Sequence, residues 1–367
     1  MRASARDSGD NPPCSTLKPV NRVSKAIGIK PGDWRFCVAP MMQYTDRHYR
    51  YLARRLSVHA RLYTEMVVAS ALVRGDARHL LAWDTFEHPV ALQLGGSDPR
   101  ELALAARMGE DFGYAEINLN VGCPSDRVQA GRFGACLIAE PGLVAECVAA
   151  MSDAVQLPVT VKTRLGVDAL DNQLHLESLV SQVAAAGCAV LILHARKALL
   201  NFSPRANREI PPLQYERVYA IKQAFPALPV VINGGIQSLT ECSRHLAEVE
   251  GVMLGRAAYA DLDLLARVDE VLFAAAPKPF SEAGLIESLG DYVARRVAEG
   301  VPLRHITKHW AGLRQGRPGA RAWRHWLGTH LTRDGAGAAP FIAEAARLLR
   351  ALEDPSTGEE APTLRAS

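Results

Sequence analysis

Between Arg35 and Gly255 the sequence carries eight short apolar runs rich in β-branched residues: RFCVAP (35–40), RLYTEMV (61–67), PVALQL (89–94), YAEINLN (114–120), PVTVKT (158–163), AVLILHA (189–195), PVVING (229–234) and GVMLG (251–255). Between several of them apolar residues recur at three- and four-residue steps, as from Pro99 to Met108 and from Leu143 to Met151. That is the period of a helix with one buried face. Strands alternating with helices pair in parallel. Strands this continuously apolar are buried on both faces. The pattern predicts an α/β protein with a closed (β/α)8 barrel, a TIM barrel; an open doubly wound sheet is the alternative.

Past Pro277 the strand signal stops. Ser281 to Glu299, Leu303 to Leu313, Arg321 to Leu331 and Pro340 to Leu352 read as helices separated by Gly and Pro. The expected organisation is a barrel domain over 34–277 and a helical domain over 278–353. Residues 1–33, polar and rich in Pro and Gly, read as a flexible extension, and 354–367 as a disordered tail.

No run approaches the roughly 20 apolar residues of a membrane span, and the first residues hold no apolar signal core, so a cytoplasmic protein is expected. Cysteines at 14, 37, 123, 136, 147, 188 and 242 form no C-x-x-C pair. Neither a disulfide framework nor a metal site is indicated. A net charge of +3 does not by itself point to nucleic acid. Its distribution does: Arg304, Lys308, Arg314, Arg317, Arg321, Arg324 and Arg333 follow one another without an acidic residue, interleaved with Trp310, Trp323 and Trp326. The cations suit phosphates, and the tryptophans either stack on bases or pack in a core.

A barrel of this kind carries its functional groups at the carboxyl ends of its strands. There the runs end in Pro40-Met41-Met42, Gln93, Asn118 and Asn120 followed by Cys123, Lys162, His194, Asn233-Gly234-Gly235 and Gly255-Arg256. A buried unpaired polar group costs about 1–3 kcal/mol, so this many polar groups facing one mouth imply a ligand or water. The glycines after the last two runs suit phosphate, with Arg256 adding a charge-assisted bond.

APMMQYTDRH (39–48), HPVALQLGGSDP (88–99), EINLNVGCPSDRV (116–128), FGACL (133–137), PVTVKTRLG (158–166), HARKA (194–198), NREIPPL (207–213), INGGI (232–236) and VMLGR (252–256) closely resemble the tRNA-dihydrouridine synthases. HARKA and NREIPPL resemble the DusA branch, which acts at positions 20 and 20a. The resemblance implies FMN as cofactor, NADPH as reductant and tRNA as substrate. By it, Pro40, Met41, Met42, Gln93, Lys162, His194, Asn233, Gly234, Gly235, Gly255 and Arg256 would hold FMN. Cys123 would protonate C5 of a uracil that takes hydride at C6. Asn120, Arg205, Arg208, Arg321 and Arg324 would contact tRNA, and a monomer is expected. Two departures stand out: Gln43 replaces the family's usual acid, and Leu199 to Ser203 is one residue short of its pattern. The residues alone leave open an FMN barrel acting on a small molecule, or an RNA-binding protein without catalysis.

Overall fold

The computed structural model describes residues 32–75, 79–330 and 337–354. Arg333, nearly all of the expected extension and nearly all of the expected tail lie outside the described residues. The strands are β1 (Phe36–Val38), β2 (Arg61–Tyr63), β3 (Val67–Val68), β4 (Val90–Gly95), β5 (Glu116–Val121), β6 (Val159–Arg164), β7 (Leu191–His194), β8 (Val230–Asn233) and β9 (Gly251–Leu254). All pair in parallel in the order β2-β1-β9-β8-β7-β6-β5-β4-β3, and a further β2–β4 pairing closes the barrel. The fold is a TIM barrel, not the doubly wound alternative.

The run RLYTEMV supplies two strands where one was expected. Thr64 is the reason: its Oγ1 accepts the Gln93 N–H at 3.0 Å, taking a ladder bond that a main-chain carbonyl would otherwise hold. The helices Pro99–Asp111 and Pro141–Ala154 cover both helical stretches expected from periodicity. Asp98 caps the first, accepting the N–H groups of Arg100 and Glu101.

Two apolar compartments result. The larger lies between strands and helices and takes Ile117, Leu119 and Val121 of β5. The smaller fills the barrel with Trp34, Cys37, Tyr63, Ala91, Ile192, Val231 and Met253. Because side chains alternate along a strand, Glu116, Asn118 and Asn120 point away from the larger core and into the barrel, all three buried. The interior is therefore partly polar.

The C-terminal helices are Glu282–Ser288, Gly290–Ala298, Leu303–Thr307, Ala320–His330 and Ala338–Glu353. The single helix expected over 281–299 breaks at Leu289, where the following Gly290 disfavours continuation. The helices dock on the barrel through Tyr292, whose ring stacks on Tyr51 at 3.8 Å and whose hydroxyl meets His48 Nδ1 at 2.7 Å. Among the described residues, no helix is long and apolar enough to cross a membrane.

The base-stacking reading of the tryptophans is corrected here. Trp310, Trp323 and Trp326 are 1%, 0% and 2% exposed, which leaves no face for a base. Trp323 donates to the Trp310 carbonyl at 2.9 Å, and Trp326 packs between Trp323 and Phe341. Burying such large rings is what holds a small helical domain together. The basic set also thins. Arg314 is buried against Glu282 at 2.9 Å, Arg317 pairs with Asp263 at 2.6 Å and Lys308 with Asp46 at 2.9 Å. Arg304, Arg321 and Arg324 are exposed and form no ion pair among the described residues.

Candidate active site

The strand ends converge as the sequence suggested. Across the ladders Gln93 faces Asn118, Asn120 faces Lys162, and Asn233 lies between His194 and Met253. Asn120 sets the loop that follows β5: its Oδ1 accepts the N–H groups of Gly122 at 3.1 Å and Cys123 at 2.9 Å. Its Nδ2 donates to Gln93 Oε1 at 2.9 Å. Cys123 is half-buried at the mouth, its thiol 3.5 Å from Ser125 Oγ. Cys147, Cys188 and Cys242 are instead buried, which pushes each thiol up to about 12. Of the described cysteines, Cys123 is the one at the strand-end mouth.

Lys162 Nζ donates to Asn233 Oδ1 at 3.0 Å. Burial, and then the nearby Arg164, lower this amine to about 7. His194 is held well below its ordinary value by burial first and then by Arg164, Lys162, Arg196 and Arg208. It is a neutral imidazole at pH 7. Burial and the adjacent Arg256 likewise lower Arg196 and Arg208. These mutual repulsions describe a mouth crowded with positive charge, which attracts an anion.

The turn after β8 is built for close approach. Gly234 has φ +113° and Gly235 φ +75°. A Cβ on Gly234 would lie 2.6 Å from His194 Cδ2, and one on Gly235 would lie 2.4 Å from Leu213 Cδ1. Tyr215 donates to the Gly234 carbonyl at 2.8 Å and braces the turn. At the neighbouring strand ends, Gly255 lies against Met41, whose Sδ would stand 3.3 Å from an added Cβ. Met41 is pinned by its N–H bond to Thr45 Oγ1 at 2.9 Å, whereas Met42 is exposed.

Arg205 is exposed and pairs with Glu209 at 3.2 Å. Arg208, one turn on, has its Nε buried with no hydrogen-bond partner among the described residues. The segment 199–203 is tied down by the buried Asn207, which accepts the Leu199 N–H at 2.7 Å and donates to the carbonyls of Leu199 and Phe202. Gln129 joins this loop to the Cys123 loop, donating to the Leu200 and Pro124 carbonyls at 2.7 and 2.8 Å. Gln43 adopts φ +69°, and its N–H donates to the Glu65 carboxylate.

The model of the dihydrouridine synthase (Dus) family matches residues 37–347. A protein of Shewanella oneidensis named tRNA-dihydrouridine(20/20a) synthase is 52% identical over 306 residues, 83% of this chain and 91% of the relative. Proteins with the same name match from Yersinia pestis, at 51% over 317 residues (86% and 91%), and from Pseudomonas aeruginosa, at 52% over 288 residues (78% and 87%). The chain belongs to the dihydrouridine synthase family.

Within this dihydrouridine synthase, sequence reading passed over Arg164. Its buried guanidinium donates to the carbonyls of Gly122 at 2.9 Å, Lys197 at 3.1 Å and Asn207 at 3.2 Å, so one side chain ties three loops of the mouth. The signal was the alternation Thr160, Lys162, Arg164 along β6, which places all three on one face.

Proposed function

We propose that this chain reduces uridine to 5,6-dihydrouridine in the tRNA D-loop, at positions 20 and 20a, with FMN as cofactor and NADPH as reductant. We take 34–277 as the catalytic barrel, 278–353 as the tRNA-binding helices, and the working form as a cytoplasmic monomer. Family membership and the shared name of the relatives support the reaction and its substrate. The observation that carries the site is the half-buried Cys123 near the Lys162 amine, at a mouth whose neighbouring strand ends hold a neutral imidazole and a glycine cradle.

The residues present fit a flavin mononucleotide. The Gly234-Gly235 cradle is the kind of surface a Cβ would fill, and the cations Arg196 and Arg256 suit one phosphate. Arg208 Nε is an unmet donor left for the RNA. Pro40 to Met42 with Gly255 would line one side of the ring system, and Gln93, Lys162, His194 and Asn233 would offer it polar groups.

When bound, FMN supplies the hydride that reaches C6 of the uracil. Cys123 gives the proton to C5. Asn120 aims that thiol through the Cys123 N–H. Lys162 and neutral His194 stabilise negative charge as it develops. Arg205, Arg208, Arg321 and Arg324 hold the RNA backbone, and Asn120 lies where the extruded base arrives.

Cys123→Ala separates the two half-reactions. Flavin reduction by NADPH should proceed at a near-parental rate, while reoxidation by tRNA lacking dihydrouridine should slow about 10²–10⁴-fold, the worth of a positioned general acid. Stopped-flow flavin absorbance reads both steps on one sample. Reoxidation as fast as in the parent would remove Cys123 from the chemistry.

A further inference from the structure

Glu116 lies fully buried at the start of β5 and belongs to no part of the mechanism above. Its Oε1 accepts from Tyr63 OH at 2.8 Å and Thr160 OH at 2.5 Å, and its Oε2 from Trp34 Nε1 at 2.8 Å and Arg61 at 3.1 Å. A carboxyl group surrounded by donors on both oxygens acts only as an acceptor. This decides the orientation of every group beyond it. The single Thr160 proton goes to Glu116, so the Thr160 oxygen accepts from Asn118 Nδ2 at 2.7 Å. The Asn118 oxygen then faces Gln93 and accepts its Nε2 at 2.8 Å. Gln93 Oε1 accepts Asn120 Nδ2, and Asn120 is left presenting its oxygen to the N–H groups of Gly122 and Cys123.

We propose that Thr160, backed by Glu116, is a positioning residue of the active site. An acceptor-only charge deep in the barrel propagates donor-to-acceptor order through Thr160, Asn118, Gln93 and Asn120, and so fixes the Cys123 loop. With the Thr160 hydroxyl gone, Asn118 Nδ2 loses its acceptor, and the order of the amides rests on the Gly122 and Cys123 N–H groups alone. A reversed Asn120 would point N–H toward N–H at Cys123. Such a chain is worth keeping in a dry interior only when each member is satisfied.

The proposal rests on Cys123 being the acid, and the experiment separates the two. Thr160→Val keeps the shape and loses both bonds, whereas Thr160→Ser keeps both. In the flavin-loaded protein, hydrogen exchange at the Gly122 and Cys123 amides should be about tenfold faster in Thr160→Val and unchanged in Thr160→Ser, as for loss of one protecting bond. Single-turnover reoxidation by tRNA lacking dihydrouridine should slow about tenfold in Thr160→Val. It should recover in Thr160→Ser, and Thr160→Val should add nothing to Cys123→Ala, since the thiol to be aimed is gone. Equal slowing in both backgrounds, or unchanged exchange at 122–123, would make Thr160 a packing residue and overturn the proposal. If Cys123→Ala alone reoxidises at the parental rate, the acid assignment fails on that variant's own record, and the proposal falls with it. Should Thr160→Val lose flavin, exchange at 122–123 is compared among the flavin-free parent, Thr160→Val and Thr160→Ser, and unchanged exchange overturns the proposal.

Discussion

Lys162 is a base placed where its charged form is penalised. Burial and Arg164 bring the amine to about 7, against about 10.4 in an unfolded chain. Between these values the unfolded chain binds a proton that the folded protein lacks, so this group makes stability rise with pH from about 7 to about 10.4. Below pH 7 it is protonated in both states, and its penalty is complete and constant. Lys162→Met removes the titration. Urea unfolding of flavin-free protein should show the variant gaining most on the parent near pH 6–7, with the gap narrowing toward pH 10. Curves that stay parallel across this range would mean that Lys162 keeps its ordinary basicity. Individual residues were legible where a polar side chain ended an apolar run, as with Gln93, Lys162, His194 and Cys123. Glu116, in a strand whose legible residues lie further along, was not, and Thr160 and Arg164 were so only through their alternation with Lys162. With both faces of each strand buried, alternation says that two faces exist but not which one lines the barrel.

Turns show the same division between what composition reveals and what contacts decide. INGGI was readable as a turn, but that Gly234 must be glycine follows from its φ of +113° and from the His194 ring 2.6 Å from any Cβ. Gly234→Ala is expected to cost about 1–3 kcal/mol of backbone strain and to release flavin, measured by thermal unfolding and by bound-flavin absorbance. Gly328 is the control. It lies in the helix Ala320–His330 with open space around it, so Gly328→Ala should stabilise by about 0.4–1 kcal/mol. The break in the second barrel strand and the tryptophan role escaped sequence reading for a shared reason. Each depends on a partner distant in sequence, Gln93 for Thr64 and Phe341 for Trp326. Periodicity sees only near neighbours.

For the whole molecule the small net charge hides a separation of kinds. Arg314, Arg317 and Lys308 are already engaged by Glu282, Asp263 and Asp46, and they tie the helices together and onto the barrel. Arg321 and Arg324 sit on the exposed side of a helix whose Trp323 and Trp326 face inward. Only cations without a carboxylate partner release counterions in full when they meet phosphate, and each such contact adds about 0.7–0.9 to the slope of log affinity against log salt. Replacing Arg321 and Arg324 together by Gln should therefore flatten the slope of tRNA binding by about 1.4–1.8, with flavin retained. Arg317→Gln should leave the slope where it was, because its charge is spent on Asp263. Fluorescence titrations of tRNA from 50 to about 300 mM salt distinguish the cases. If Arg317→Gln flattens the slope and the double variant does not, the helices bind RNA through their ion-paired side instead, and the exposed arginines are only a solvated face.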